Sequence, residues 1–216
     1  RRPHELIEIC NDLGYRPSDL LQANCVIWVE GPSDRIYIRR WLQLIDDELT
    51  EGIDYSIMFY GGKLLAHLTA SEEALEDFIS LRQLNRASAV LIDSDKTGPR
   101  KHINATKKRI KAEFEAGHPS PGLAWVSNCY TIENYVDPEV LTTAVKEVHQ
   151  GRSVAPAGQW ANPLPTDGST AFDKVGIAAS ATRVMTARSL DVLDLRARIM
   201  ALREFIRRAN GFSTAP

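Results

Sequence analysis

The chain of 216 residues reads as an α/β protein, with a mainly parallel sheet flanked by helices and a smaller C-terminal helical domain. Three observations predict this class. Short apolar runs of strand length ("CVIWV", residues 55–60, "ASAVLI" and residues 123–126) alternate with segments of helical periodicity, the pattern of β-α-β units. The first and third runs are continuous rather than alternating, as in strands covered on both faces. Beyond residue 138 no such run recurs, and helical patterning takes over.

Taken in order, residues 4–13 read as a helix closed near Gly14, and 1–20 as an N-terminal helix and linker. Residues 25–29 form the first strand. Pro32 suits a first helical position, and Ile36, Ile38, Trp41, Leu42 and Ile45 give the following helix its apolar face. Residues 55–60 form the second strand, closed by Gly61-Gly62, with a helix beginning near Lys63; the periodicity of 71–86 is ambiguous. Residues 87–92 form the third strand, 100–116 a basic amphipathic helix, and 123–126 the fourth strand, followed by "CYTIENYV". Residues 138–149, 171–188 and 189–209 are expected to be helices, with the Pro/Gly-rich stretch 151–169 a loop. The expected division is 21–140 for the α/β domain and 141–216 for the helical one.

Composition bounds the function. With 44% apolar and 25% charged residues the chain suits a soluble globular protein. A net charge of −2 gives no global nucleic-acid signature, although an acidic site can cancel basic patches elsewhere. Cys10, Cys25 and Cys129 form no C-x-x-C pair, which points to reduced thiols in a cytoplasmic protein without a zinc framework. The five histidines offer no H-E-x-x-H. No apolar stretch reaches about 18 residues, so no membrane segment is expected. The chain does not begin with Met and is expected to be part of something longer.

The carboxylates carry the chemistry. Glu30, Asp93 and Asp95 stand just past strand ends, Asp34 lies one helical turn after Glu30, and Glu133 follows the fourth strand. In a parallel sheet, ligands gather outside the carboxyl ends of the strands. Five carboxylates on one rim raise one another's pKa unless a cation balances them. Oxygen-only donors select Mg²⁺ or Mn²⁺, and two ions about 3.5–4 Å apart would clamp the attacking and leaving oxygens of a phosphodiester. That arrangement serves phosphoryl transfer. Taken singly, each residue also has a plainer reading: Asp34 as a complement to the helix dipole, D-x-D as an Asx-turn, Glu133 as a surface residue. Gly61-Gly62 is either a turn needing positive φ or a close backbone approach to phosphate, and Lys63 either a phosphate contact or a solvated helix start.

"VEGPSD", "YGG" and "LIDSD" together resemble the TOPRIM domain of topoisomerases, primases and several nucleases. The wider run "RPSDLLQANCVIWVEGPSDRIYI", with "TIENYV" downstream, resembles the OLD-family (overcoming lysogenization defect) endonucleases over residues 15–140. The resemblance implies a TOPRIM-like catalytic domain preceded by an ABC-type ATPase domain. No G-x-x-x-x-G-K-[ST] occurs here, so the chain is expected to be the C-terminal nuclease part. It further implies metal-dependent DNA nicking or cleavage, with Glu30, Asp34, Asp93, Asp95 and Glu133 as metal-site residues. In the expected mechanism Glu30, Asp34 and Asp93 hold the ion that activates water, and Asp95 and Glu133 the ion that stabilises the departing oxygen. The family's basic residue from the helical part is matched by Lys174 in "AFDKVG", a position that also suits a solvated lysine.

Tyr130 and Tyr135 lie within the site motif rather than on a separate strand-breaking domain, which favours water over tyrosine as nucleophile. The alternatives are a non-catalytic TOPRIM DNA-binding module and a primase- or topoisomerase-like domain. The basic run from Lys96 to Lys111, including Arg100, Lys101, Lys107 and Lys108, and the arginine-rich 183–208 read as phosphate-neutralising surface or as solvated helix faces. Aromatic residues are not interleaved with them, so backbone contact with duplex DNA and little sequence readout is expected, without a stacking platform for single strands.

Overall fold

The computed structural model describes residues 22–60, 79, 85–117, 120–165 and 171–212. The expected helix at 4–13, the helix from Lys63, and Gly61, Gly62 and Lys63 themselves lie outside the described residues.

Four parallel strands form the sheet: β1 (Cys25–Val29), β2 (Ser56–Phe59), β3 (Ala87–Ile92) and β4 (Gly122–Val126), in the order β2-β1-β3-β4. Ile27 is level with Ile57 on one side and Ala89 on the other, and Val90 is level with Ala124. β1 and β3 are buried along their whole length, as their continuous apolar runs predict. Chain order runs outward from β1 to β2 on one side and from β3 to β4 on the other. The switch point of the sheet therefore falls between β1 and β3.

Five helices flank the sheet among the described residues: α1 (Pro32–Ile45), α2 (Ala105–Glu115), α3 (Pro138–Val148), α4 (Lys174–Val184) and α5 (Leu195–Ala209). Pro32 opens α1, and the Asp34 carboxylate accepts from the Gly31 N–H at 3.0 Å, satisfying a donor at the helix start. Tyr37, Ile38, Trp41 and Leu42 are fully buried, so Tyr37 belongs to a face on which Ile36 and Ile45 are only half-buried. α2 begins at Ala105 rather than near residue 100. Asn104 caps it by accepting from Lys107 N at 2.8 Å, while the preceding segment turns at Gly98. α4 likewise starts later than expected, because Asp173 accepts from Gly176 N at 2.9 Å and caps it. The helix expected over 189–209 is interrupted. A 3₁₀ turn covers Ala187–Leu190, Leu193 has φ of +51°, and α5 starts only at Leu195.

The helices after residue 138 do not form a core of their own. One contiguous apolar cluster includes Ile27 of β1, Trp41 of α1, Val145 of α3, Ile177 of α4 and Ile199 of α5. Polar contacts reinforce the union: Asp46, just past α1, pairs with Arg203 at 2.8 Å and Arg207 at 2.7 Å, and Asn210 Nδ2 donates to the Asp54 carbonyl at 2.9 Å. The separate helical domain expected over 141–216 is therefore not marked off. α3 packs on α4, α4 on α1, and α5 on α1 and on β3 and β4, so the link from these helices to the sheet runs largely through α1. α2 packs on β3 and β4 through Ile110 and Phe114, which stand outside this cluster.

Two outcomes follow. Urea unfolding of the chain gives a single transition common to all probes, whereas a separable second transition would support the two-domain division. Trp41 meets Tyr37 at 5.5 Å, Tyr135 at 6.2 Å and Trp125 at 6.4 Å between ring centroids, so Trp41→Ala lowers unfolding free energy by about 3–5 kcal/mol.

Candidate active site

The exits of β1 and β3 are adjacent, and each delivers a carboxylate: Glu30 directly after Val29, Asp93 directly after Ile92. Both line a pocket of about 330 Å³, together with Asp95, Lys107, Tyr130 and Lys174. Larger hollows lie elsewhere, one beside β2 and one at Arg86 and Phe205, but neither gathers this chemistry.

The walls are held by hydrogen bonds between the exits of β3 and β4. Ser127 N donates to the Ile92 carbonyl, Ser94 N to Ser127 Oγ, and Asp95 N to the Tyr130 carbonyl, all at 2.9–3.0 Å. Asp93 Oδ1 accepts from Ile132 N at 2.8 Å, fixing the 3₁₀ turn Ile132–Tyr135 that carries Glu133. Asp95 adopts φ of +51°, a left-handed conformation that aspartate tolerates better than bulkier residues. Tyr60 donates its hydroxyl to the Leu91 carbonyl at 2.7 Å and closes the pocket from the β1–β2 side.

Two lysines enter from helices. Lys107 of α2 donates to the Asp93 carbonyl at 2.7 Å and also bonds the Asp95 carboxylate. Lys174, the first residue of α4, places Nζ 2.8 Å from Glu133 Oε1. Glu133 is 1% exposed, and this ion pair with Lys174 is the contact that balances its charge. α4 is steered here by its cap: Asp173 N donates to His149 Nε2 at 2.9 Å, and a Cβ at Gly176 would sit 2.5 Å from Asp173 Oδ2.

Electrostatics follow from the crowding. Burial, then Asp34, Glu133 and Glu30, push Asp93 well above the usual carboxylate range. Burial also pushes Asp34 up to about 7, against the lowering effect of the Gly31 N–H and with added repulsion from Glu133 and Glu30. Glu30 is raised by burial, partly offset by Lys107 and Lys174. Burial works against the Lys174 ammonium, but Glu133, Asp93 and Asp34 outweigh it and its pKa rises.

Glu30, Asp93, Asp95, Lys107 and Lys174 thus share one pocket; Glu133 stands close enough to raise both Asp93 and Glu30, and Asp34 close enough to raise Asp93. Arg100, Lys101 and Lys108 do not line the pocket, and they sit exposed on the turn before α2 and on α2 itself. Tyr135 is buried, its hydroxyl accepting from Asn128 N at 2.9 Å and donating to Asp194 at 2.8 Å, so it serves the core. Tyr60, Asn104, Asn162 and the pocket-facing role of Lys107 were not foreseen. The Asn104–Lys107 capping spacing was the one local signal for any of them.

The donor set suits a hard divalent cation: every acidic group on the rim is a carboxylate, and Oε2 of the buried Glu133 has no hydrogen-bond partner among the described residues. Convergence is incomplete. Among the described residues, no group of three or more His, Cys, Asp and Glu side chains is arranged to hold a metal ion, and Lys174 stands against Glu133 instead. Also among the described residues, no helix is long and apolar enough to cross a membrane. Comparison of the chain with family models, curated proteins and solved structures found no match in any of the three.

The raised Asp34 pKa has a signed consequence. The folded state holds its proton up to about pH 7, whereas the unfolded chain releases it near 3.8. The associated stability is present below the lower value and is lost as pH rises through the upper one. In metal-free buffer the urea midpoint therefore falls between about pH 5 and about pH 8. Asp34→Asn flattens that fall and is more stable than the parent at the higher pH, by an amount on the order of 2 kcal/mol. An unchanged slope in the variant would refute this account.

Proposed function

We propose that the chain is a metal-dependent DNA endonuclease, cleaving phosphodiesters with water as nucleophile. The observation carrying this reading is the delivery of Glu30 and Asp93 by adjacent strand exits, at the switch point of a parallel sheet, into one pocket with Asp95, Lys107 and Lys174. The resemblance of "VEGPSD" and "LIDSD" to the TOPRIM domain, and of the wider run to OLD-family endonucleases, supports it. The proposed context is a cytoplasmic ATPase–nuclease in which an ATPase domain precedes this chain.

Glu30, Asp34, Asp93, Asp95 and Glu133 would hold Mg²⁺ or Mn²⁺, with two ions as the expected complement. When bound, the metal supplies an activated water and charge stabilisation for the departing 3′ oxygen. The protein's own contributions are distinct. Asp93, fixed by Ile132 N, is pre-oriented at the pocket floor. Lys107 holds the Asp93 carbonyl and the Asp95 carboxylate in place. Lys174 offers a half-exposed ammonium that can leave Glu133 for a phosphoryl oxygen, where it would stabilise developing negative charge. Arg100, Lys101 and Lys108 supply exposed positive charge for the DNA backbone near the pocket.

The second reading is a DNA-binding module without catalysis. The Lys174–Glu133 pair and the incomplete convergence of carboxylates favour it. Supercoiled plasmid separates the two. Under the nuclease reading the chain converts it to open-circular and linear forms with Mg²⁺ or Mn²⁺ but not EDTA. Glu30→Ala and Asp93→Ala abolish conversion, and Lys174→Ala slows it by about 100-fold or more. Plasmid binding without nicking under any metal, by folded protein, would select the binding module.

A further inference from the structure

The chain has four tryptophans, and three of them are buried: Trp28, Trp41 and Trp125. The fourth, Trp160, is half-buried, and it belongs neither to the apolar core cluster nor to the hydrophobic residues packed against that cluster. A large indole is ordinarily among the strongest contributors of buried apolar surface. This one is held in a polar loop instead.

The loop is fixed without the indole's help. Tyr130 N donates to the Gln159 carbonyl at 2.9 Å, and Gln159 Nε2 donates to the Asn128 carbonyl at 2.5 Å. Asn134 Nδ2 donates to the carbonyls of Gly158 at 3.3 Å and Ala161 at 3.0 Å. Residues 158–161 are thereby clasped to the segment after β4 that carries Glu133. Over the ring stands the Lys96 ammonium, 4.7 Å from its centroid. Asp95, the residue before Lys96, and Asn162, two residues after Trp160, both line the acidic pocket. The Lys96–Trp160 pair does not itself line that pocket but stands within two residues of two of its lining side chains, on two separate segments.

We propose that Trp160 and Lys96 form a subsite for one unpaired nucleotide of single-stranded DNA, beside the phosphate that the acidic pocket receives. The indole stacks on the base and the ammonium meets that nucleotide's backbone phosphate. This rests on the reading of the pocket as a phosphodiester-cleaving centre. In a duplex each base face is covered by its neighbours, so an aromatic ring at the site can stack only on an unpaired or extruded base. Lys96 occupies the ring through a cation–π contact, which is weak where water has access and is exchangeable for a base. The preferred substrate is then a strand with an unpaired nucleotide at the cleavage point, rather than an uninterrupted duplex.

The test is fluorescence anisotropy of a labelled oligothymidine and of a blunt duplex, with Ca²⁺ replacing Mg²⁺, using the parent chain, Trp160→Ala and Trp160→Phe. Trp160→Ala is expected to weaken single-strand binding roughly 5- to 150-fold, Trp160→Phe to retain most of it, and duplex binding to change less than about twofold. Equal single-strand affinity in parent and Trp160→Ala overturns the subsite. So does an equal loss on both substrates that Phe does not rescue, since that marks collapse of the loop, and so does a parent chain that binds neither. Cleavage with Mg²⁺ or Mn²⁺ separates this proposal from the one beneath it. A parent that binds single strands through Trp160 yet cleaves nothing overturns the nuclease reading alone. A parent that cleaves, with Trp160→Ala cleaving single strand and duplex at the parent's rates, overturns the subsite alone.

Discussion

The hydrogen bond from Ile132 N to Asp93 Oδ1 joins the exit of β3 to the short turn that follows β4, and much of the molecule is arranged around it. Glu133 is the next residue of that turn, so the bond sets where a second buried carboxylate stands. Tyr135, two residues further on, packs against Trp41 of α1 and Trp125 of β4 and donates its hydroxyl to Asp194, just before α5. A single turn thus links two strands and two helices, and its first donor is spent on a rim carboxylate. Asp93 accordingly has two tasks that pull apart. An N–H donor favours its ionised form, while burial and three neighbouring carboxylates favour its protonated one, and the latter dominate.

The positive charge is divided between stability and the site. Along 183–208 the arginines are largely consumed internally: Arg196 pairs with Asp191, Arg198 with Asp194, and Arg203 and Arg207 with Asp46. Asp46 is 7% exposed and its carboxyl is held below the usual range: burial opposes ionisation, but the two guanidiniums prevail. Within this run, Arg203 and Arg207 clamp α5 to the end of α1. Lys107 and Lys174, by contrast, line the pocket.

What was legible in the sequence was whatever depended on strand ends. A continuous apolar run must stop where the chain leaves a sheet buried on both faces, so Glu30 and Asp93 could be placed on the rim from "VIWVE" and "VLID" alone. Parallel pairing then made the rims coincide. Lys174 was reached through a family resemblance, and it stands 2.8 Å from Glu133. Helix starts were less legible, because Asn104 and Asp173 outrank the residues before them only through capping bonds that form once the loops have turned. Trp160 could not be read at all. Its position depends on carbonyls of residues 158 and 161 meeting an asparagine more than twenty residues earlier, and no periodicity records such a contact.

The pairing of Lys174 with Glu133 bears on why a lysine stands there. A glutamate that is 1% exposed is among the least tolerable groups a protein can bury without a counter-charge. An arginine would satisfy it with a planar two-pronged contact, and would then be costly to remove. Lysine gives a point charge on a flexible stem, and here that side chain remains 47% exposed, with Nζ 2.8 Å from one Glu133 oxygen. Such a contact neutralises the carboxylate, and a bound metal ion would take over that role in the proposed nuclease. In the reading proposed for this pocket, the lysine released in that exchange is the same group that then meets the phosphate.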